Sequence, residues 1–202
     1  MLIQTGNSFA QVTWDYGVKG GIDFANITGD DTDSLGVDTS KIGAVGGAFL
    51  TAHLNDDFAV RVEGLFVQRG AKREAGEYTG KLKLDYFEIP LLAVIKLPVT
   101  ETVMIYGFAG PSIAFNLSAE VTNKGPDVPA ADRERDLDDE IKGIDYGFAV
   151  GSGFEVDLGG ASILFEGRWV YGLNSINDTA RELDINNINY ALMAGVAVPI
   201  GR

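Results

Sequence analysis

Polar and apolar residues alternate along most of this chain, and the alternation constrains the fold more than any other feature of the sequence. Between residues 58 and 70, one set of alternate positions is apolar or small, namely Phe58, Val60, Val62, Gly64 and Phe66. Arg61, Glu63 and Arg69 occupy positions between them. A repeat of two residues places the two sets on opposite faces of a β-strand, whereas a helix would repeat after roughly 3.6 residues.

The same pattern recurs in seven further segments, which predicts eight strands. We expect them at Trp14–Ala25, Lys41–His53, Phe58–Gly70, Lys81–Leu97, Val103–Ser118, Ile144–Val156, Ala161–Leu173 and Asn189–Ile200. Three connections are short, at residues 54–57, 98–102 and 157–160, and they alternate with long, polar ones at 27–40, 71–80, 119–143 and 174–188. An even number of strands with alternating short and long connections is the layout of a bacterial transmembrane barrel.

The two faces of these strands differ in the size and charge of their side chains. One face carries the large aromatic residues, Tyr16, Phe24, Phe66, Phe87, Phe115, Tyr146, Phe148, Phe154, Phe165, Trp169 and Tyr171. The other is charged or small, and it accounts for many of the 26 glycines. An eight-stranded barrel has room inside only for side chains, so the bulky rings must face outward. The sequence therefore predicts an all-β protein, an eight-stranded antiparallel up-and-down transmembrane β-barrel with short periplasmic turns and long acidic extracellular loops.

Charges of both signs fall on the predicted inner face. A buried ion without a partner is costly, so we expect Lys19, Arg61 and Arg168 to form ion pairs inside the barrel. Their expected partners are Glu63, Glu88 and Glu166. This cluster predicts a lumen closed by ion pairs, and the alternative is an ion path or a proton site. Near the strand ends, aromatic residues are expected to form interfacial girdles, notably Trp14, Tyr16, Trp169 and Tyr171.

Composition argues against several classes of function. The formal charge is −13, with 29 acidic and 16 basic residues, so a nucleic-acid partner is not expected. Cysteine is absent and His53 is the single histidine, so we expect no metal site and no cofactor. Barrel enzymes need an imidazole to activate a serine, and His53 has no evident serine partner. The sequence therefore predicts no catalytic residues and a protein that is not an enzyme.

Two of the long connections contain dense runs of aspartate. Asp30, Asp31 and Asp33 lie in the first, and Asp136, Asp138 and Asp139 lie in the third. They are candidates for binding a cation or a protein partner, against the alternative of a solvated run of charge. A calcium loop is not indicated, because Leu35 occupies a ligand position and no glutamate closes the motif.

Three segments carry a resemblance to a known family. Residues Tyr16–Phe24, Arg61–Ala71 and above all Lys83–Leu92, with its Asp-Tyr-x-Glu-Ile-Pro-Leu-Leu run, resemble the outer-membrane β-barrel domain family that includes the PorT-like proteins of Gram-negative bacteria. Phe108–Pro111 and Tyr171–Asn174 are similar to later strands of that family. The resemblance implies a small barrel in the outer membrane with its acidic loops outside the cell. It implies no activity, since the family has no shared catalytic residues.

The chain is expected to form one domain. Residues 1–12 are interpreted as the remainder of a signal peptide, a leader or a disordered N-terminus, because Ser8 and Ala10 match a cleavage site without a preceding apolar region. Residues 13–202 are interpreted as a single outer-membrane β-barrel domain. This division predicts an exported protein whose signal peptide has been removed.

Three hypotheses for function remain open from the sequence. The first is a structural or interaction protein with a plugged lumen, whose partners are the outer-membrane lipid bilayer and proteins bound through the extracellular loops. The second is a narrow porin-like channel or an accessory barrel of a secretion system. The third is a soluble lipocalin-like carrier of an apolar ligand.

Overall fold

The fold consists of β-strands throughout the part of the chain that the structure describes. This computed structural model describes residues 12–28, 41–75, 78–124, 129, 134–136, 143–173 and 186–201. The strands are β1 (Thr13–Thr28), β2 (Lys41–His53), β3 (Phe58–Ala75), β4 (Tyr78–Pro98), β5 (Val103–Lys124), β6 (Glu134–Asp136), β7 (Ile144–Asp157), β8 (Ser162–Gly172) and β9 (Asn186–Ile200). No helix within these ranges has the length and apolar character needed to cross a bilayer.

Eight of the strands close into a barrel. Neighbours pair antiparallel in the order β1, β2, β3, β4, β5, β7, β8 and β9, and β9 pairs with β1 from Trp14–Ile200 to Thr28–Asn186. The short strand β6 pairs only with the end of β5, so it extends the sheet without entering the wall. The predicted eight-stranded antiparallel barrel is confirmed.

One end of the barrel, here called the turn end, has three tight hairpins. Each is four residues long, at positions 54–57, 99–102 and 158–161. In the first, the Asn55 side chain accepts hydrogen bonds from the backbone N–H groups of Asp57 and Phe58, at 2.9 and 2.8 Å. Such side-chain acceptors are the reason that asparagine favours turns. The opposite end, called the loop end, carries the long connections.

The structure differs from the sequence prediction at two of the long connections. Residues 71–80 are almost entirely strand, since β3 and β4 continue to Ala75 and Tyr78, and β5 runs on to Lys124. These three strands have 18, 21 and 22 residues and form a tall wall at the loop end. In these end segments charged residues occupy neighbouring positions, as in Lys72-Arg73-Glu74, so the alternation that marks the other parts of the strands fades.

Glycine lines the inner face where neighbouring strands approach closely. A Cβ atom on Gly47 would lie 1.9 Å from the carbonyl oxygen of Gly64, and one on Gly21 would lie 1.9 Å from that of Leu192. By contrast, the nearest atom to a Cβ on the outward Gly20 would be 3.6 Å away. The inner glycines are therefore required by the backbone geometry of this narrow barrel.

The outer surface of the barrel is an apolar band. On β1 the outward residues run from Trp14 to Phe24, and the ten residue-to-residue steps between them span roughly 33 Å along the strand and about 25 Å along the barrel axis at a tilt of about 40°. That height matches the lipid-facing band of membrane barrels, which is about 25 Å. Exposed aromatic residues ring the band, with Trp14, Tyr16 and Phe58 towards the turn end and Phe66, Phe87, Tyr146, Trp169, Tyr171 and Tyr190 towards the loop end. Such an outer face does not fit a soluble carrier.

The band ends at polar residues on the tall wall. Gln68 of β3 lies opposite Asp85 of β4, one outward position above the paired Phe66 and Phe87. The Asp85 carboxylate is 3.1 Å from Lys83 Nζ, and its hydrogen bond and charge raise the pKa of Lys83. The Lys83 side chain is 45% exposed and that of Asp85 is 13% exposed, so the outward positions above the paired phenylalanines are polar and the apolar band ends there.

Candidate functional site

Five charged side chains meet at the middle of the lumen, here called the central layer: Lys19, Arg61, Glu63, Glu166 and Arg168. Lys19 Nζ donates to Glu63 Oε1 at 2.7 Å and to Glu166 Oε1 at 2.6 Å. Arg168 Nη2 donates to Glu63 Oε2 at 2.7 Å and to Glu166 Oε1 at 3.2 Å. All five side chains are almost completely excluded from solvent. Period-two alternation in β1, β3 and β8 brings them together, since each occupies an inward position of its strand.

Glu166 is the centre of this network. Its carboxylate accepts hydrogen bonds from Lys19 and Arg168, from Arg61 Nη1 at 3.2 Å and from the Tyr106 hydroxyl at 3.2 Å. Arg61 Nε also donates to Thr51 Oγ1 at 3.2 Å. A carboxylate that touches three cations offsets the cost of removing those cations from water.

Aromatic rings fill the space that the ion pairs leave. The Arg61 guanidinium carbon lies 5.0 Å from the centre of the Phe49 ring and 5.3 Å from that of Tyr106. The Arg168 guanidinium carbon lies 5.1 Å from the Phe108 ring centre. These are cation–π distances, and the rings are buried on the inner face. The rings and the ion pairs therefore occupy the same level of the lumen.

Further ion pairs lie on either side of the central layer. Towards the turn end, Lys96 Nζ donates to Glu155 Oε2 at 2.9 Å. Towards the loop end, Arg69 Nη2 donates to Glu88 Oε2 at 2.5 Å. In the described ranges the buried charged side chains comprise five cations and six carboxylates, of which Asp85 lies at an outward position of β4. The lumen therefore buries charges of both signs in similar numbers.

The structure brings together five of the six residues predicted for the ion-pair cluster and places the sixth elsewhere. Glu88 contacts Arg69 in place of Arg61, Lys19 or Arg168. The reason is register: Glu88 lies opposite Leu65, midway between Arg61 and Arg69 on β3, and the Arg61 guanidinium is already engaged by Glu166.

Two cations of the lumen have no partner assigned from the sequence. Arg69 shares the alternation of Arg61 and Glu63, so its inner position was readable from the sequence. Lys96 interrupts the apolar run of β4 at an inward position, opposite Tyr106 of β5. Its contact with Glu155, across β5 on β7, depends on the packing of three strands and has no local signal.

The turn end holds a cavity of about 490 Å³ that contains the single histidine. His53 Nε2 lies 2.5 Å from Asp15 Oδ2, and both side chains are largely buried. Lys96 and Glu155 form its inner floor. No group of three or more His, Asp or Glu side chains in the described ranges is placed to hold a metal ion.

The aspartates predicted to bind a cation or partner fall almost entirely outside the described residues. This applies to Asp30, Asp31, Asp33, Asp138 and Asp139. Asp136 belongs to β6, where its backbone lies opposite Glu120 of β5.

Comparison with known families agrees with this architecture. The family model for the outer membrane protein beta-barrel domain matches residues 9–178. The chain belongs to this family. It is therefore an outer membrane protein, and its turn end faces the periplasm, as short turns do in such barrels. The match does not distinguish PorT-like proteins from other members of the family.

The chain is similar to several solved outer membrane barrels. Neisserial surface protein A is 17% identical, with a TM-score of 0.54 over 91% of this chain and 96% of that one. OprG from Pseudomonas aeruginosa is 14% identical, with a TM-score of 0.49 over 93% and 96% of the two chains. Ail of Yersinia pestis, solved with the heparin analogue sucrose octasulfate, is 16% identical, with a TM-score of 0.48 over 91% and 98%. No curated protein matches the chain.

Proposed function

We propose that this outer membrane barrel is a structural or interaction protein that conducts no ions and acts through its outer surface. The observation that carries the proposal is the central layer, in which five buried charged side chains and three buried aromatic rings contact one another across the lumen. A narrow eight-stranded barrel filled in this way leaves no aqueous path through its middle. The proposal includes no catalytic activity.

The tall wall supports an interaction role. Strands β3, β4 and β5 extend beyond the apolar band and, with β6, form a sheet outside the bilayer. A rigid sheet at the loop end presents side chains to the exterior at fixed positions, and binding residues are commonly carried by segments held on such scaffolds. We therefore place the interaction surface on this wall and on the long loops beside it.

Ion conductance in a planar bilayer tests the closed lumen. The unaltered chain is expected to insert without producing steady unitary currents. A double variant, Arg61→Ala with Glu166→Ala, removes one cation and one anion from the central layer and is expected to produce currents, because water replaces the lost side chains. Val62→Ala, on the neighbouring outward position, serves as the matched control and is expected to stay silent.

The alternative hypothesis is a narrow channel or an accessory barrel of a secretion system, as a PorT-like relationship would imply. It rests on the segment Asp85–Leu92, of which Glu88 belongs to the ion pair with Arg69. Steady currents from the unaltered chain that are lost on Arg61→Ala or Glu88→Ala would favour the channel and overturn the closed lumen.

A further inference from the structure

The tall wall has two edges at the loop end, and they differ in how they are paired. The edge on β5 is covered, because β6 pairs with residues 120–122 of that strand. On β3, pairing with β2 stops at Val67, whereas pairing with β4 continues to the end of the strand. β2 begins at Lys41, which the same register would place opposite Ala71. Residues 72–75, here called the β3 edge, therefore have a strand neighbour on one side alone within the described ranges.

The β3 edge belongs to a basic hairpin in an acidic chain. Residues 72–83 contain four basic and two acidic residues, whereas the whole chain has a formal charge of −13. The basic residues are Lys72 and Arg73 on β3 and Lys81 and Lys83 on β4. Lys72 lies directly opposite Lys81 in the ladder, so two cations share one register position. The corner of the wall that is open to a further strand thus carries positive charge.

An edge strand presents backbone N–H and C=O groups that have no partner in its own sheet. Such an edge accepts an extended peptide as an additional strand. A second copy of this chain does not fit, because antiparallel pairing of two β3 edges would bring Lys72 and Arg73 of one copy against those of the other. Like charges directly opposite each other are destabilising, whereas opposite charges form favourable cross-strand pairs. An acidic strand is therefore the matching partner.

The other edge of the wall shows that a short strand is held at this height. β6 has three residues and pairs antiparallel with β5 outside the barrel wall. Asp136 of β6 lies opposite Glu120, so backbone pairing holds this strand without charge complementarity. The β3 edge has a similar length, and for an acidic strand it adds the charge complementarity that the β5 edge lacks.

We propose that the β3 edge binds an extended acidic segment of a partner protein by strand addition. This inference rests on the proposed function, since it names the chemistry of the partner that the tall wall binds. Backbone hydrogen bonds hold the segment on the sheet, and the positive charges of Lys72 and Arg73 favour carboxylates over other side chains. The edge lies at the loop end beyond the apolar band, so the segment reaches it from outside the cell.

Hydrogen exchange on the full chain, folded in lipid vesicles, tests this site. The probe is a synthetic peptide in which glutamate and threonine alternate. It is expected to slow the exchange of backbone amides in residues 72–75 and to leave residues 120–122, which already pair with β6, unchanged. Two control peptides are expected to have no effect. One has lysine in place of glutamate, and the other keeps glutamate but is N-methylated at every residue, so that it cannot donate to a ladder.

Two double variants separate the edge from the rest of the wall. Lys72→Gln with Arg73→Gln removes the cations of the edge strand and is expected to weaken binding of the acidic peptide roughly tenfold. Lys81→Gln with Lys83→Gln is the matched control, because it removes two cations from β4, about 5 Å farther from the added strand. It is expected to weaken binding by less than about threefold. Equal losses in the two variants would overturn the edge as the binding site.

The results of the exchange experiment are separable from the proposed function. Protection by the acidic peptide alone, lost in the β3 variant, supports the site. Slow exchange of residues 72–75 before any peptide is added overturns it, because the chain itself would then cover the edge. Protection by the N-methylated peptide, or by no peptide, also overturns it. Conductance does not depend on the β3 edge, so a silent lumen would stand in each of these cases.

Discussion

Replacing Glu166 with alanine is expected to be the most destabilising change of a single charge in this barrel. It leaves Lys19, Arg61 and Arg168 buried with Glu63 as the remaining carboxylate of the central layer. Removing one partner of a buried ion pair typically costs about 3–5 kcal/mol, because the other charge stays buried without compensation. We expect a loss of that size in the free energy of unfolding, measured by urea titration in lipid vesicles.

Glu155→Ala is the matched control for this change. It also removes a buried glutamate, but Glu155 contacts one cation, Lys96, and both border the open turn-end cavity. Water can solvate Lys96 there, so the loss should be clearly smaller. Equal losses for the two variants would contradict the central position of Glu166 in the network.

Placing a charge on the outer face should show whether that face contacts lipid. Val18 is 62% exposed and lies near the middle of the apolar band between Trp14 and Phe24. In the bilayer its side chain faces lipid, where an arginine at the midplane costs about 2–4 kcal/mol. Val18→Arg is therefore expected to lower the free energy of unfolding in vesicles by this amount.

The turn between β4 and β5 provides the control for this prediction. Val99 is 59% exposed, almost the same as Val18, but it lies outside the band. Val99→Arg should change the free energy of unfolding by less than about 0.5 kcal/mol, as exposed surface substitutions usually do. If Val18→Arg were equally neutral, the outer face would be in contact with water.

The sequence predicted the embedded part of the fold because lipid imposes a strict rule on it. Inside the bilayer one face of each strand must be apolar and the other must fill the lumen, so polar and apolar residues alternate along the strand. The bounds of β2, for example, are the same in the prediction and in the structure. Outside the bilayer this rule lapses. The ends of β3, β4 and β5 were therefore predicted as loops.

The lumen was predictable in composition but not in every contact. Inward positions follow from parity along a strand, and this places Lys19, Arg61, Glu63, Glu166 and Arg168 on one face. Which carboxylate meets which cation depends on the stagger between strands, which no single segment encodes. For this reason the contacts of Glu88 with Arg69 and of Lys96 with Glu155 emerge only from the closed barrel.

Tryptophan fluorescence tests the central claim, that the apolar face of this barrel meets lipid. The chain has two tryptophans, and Trp14 and Trp169 face outward near opposite edges of the band. Two variants, Trp14→Phe and Trp169→Phe, each keep a single tryptophan. In vesicles of brominated lipids, the fluorescence of that tryptophan should be quenched strongly in both variants. Bromine near the headgroup should quench more than bromine near the end of the acyl chain. Emission that no brominated lipid quenches would contradict the account, because both rings would then be shielded from the bilayer.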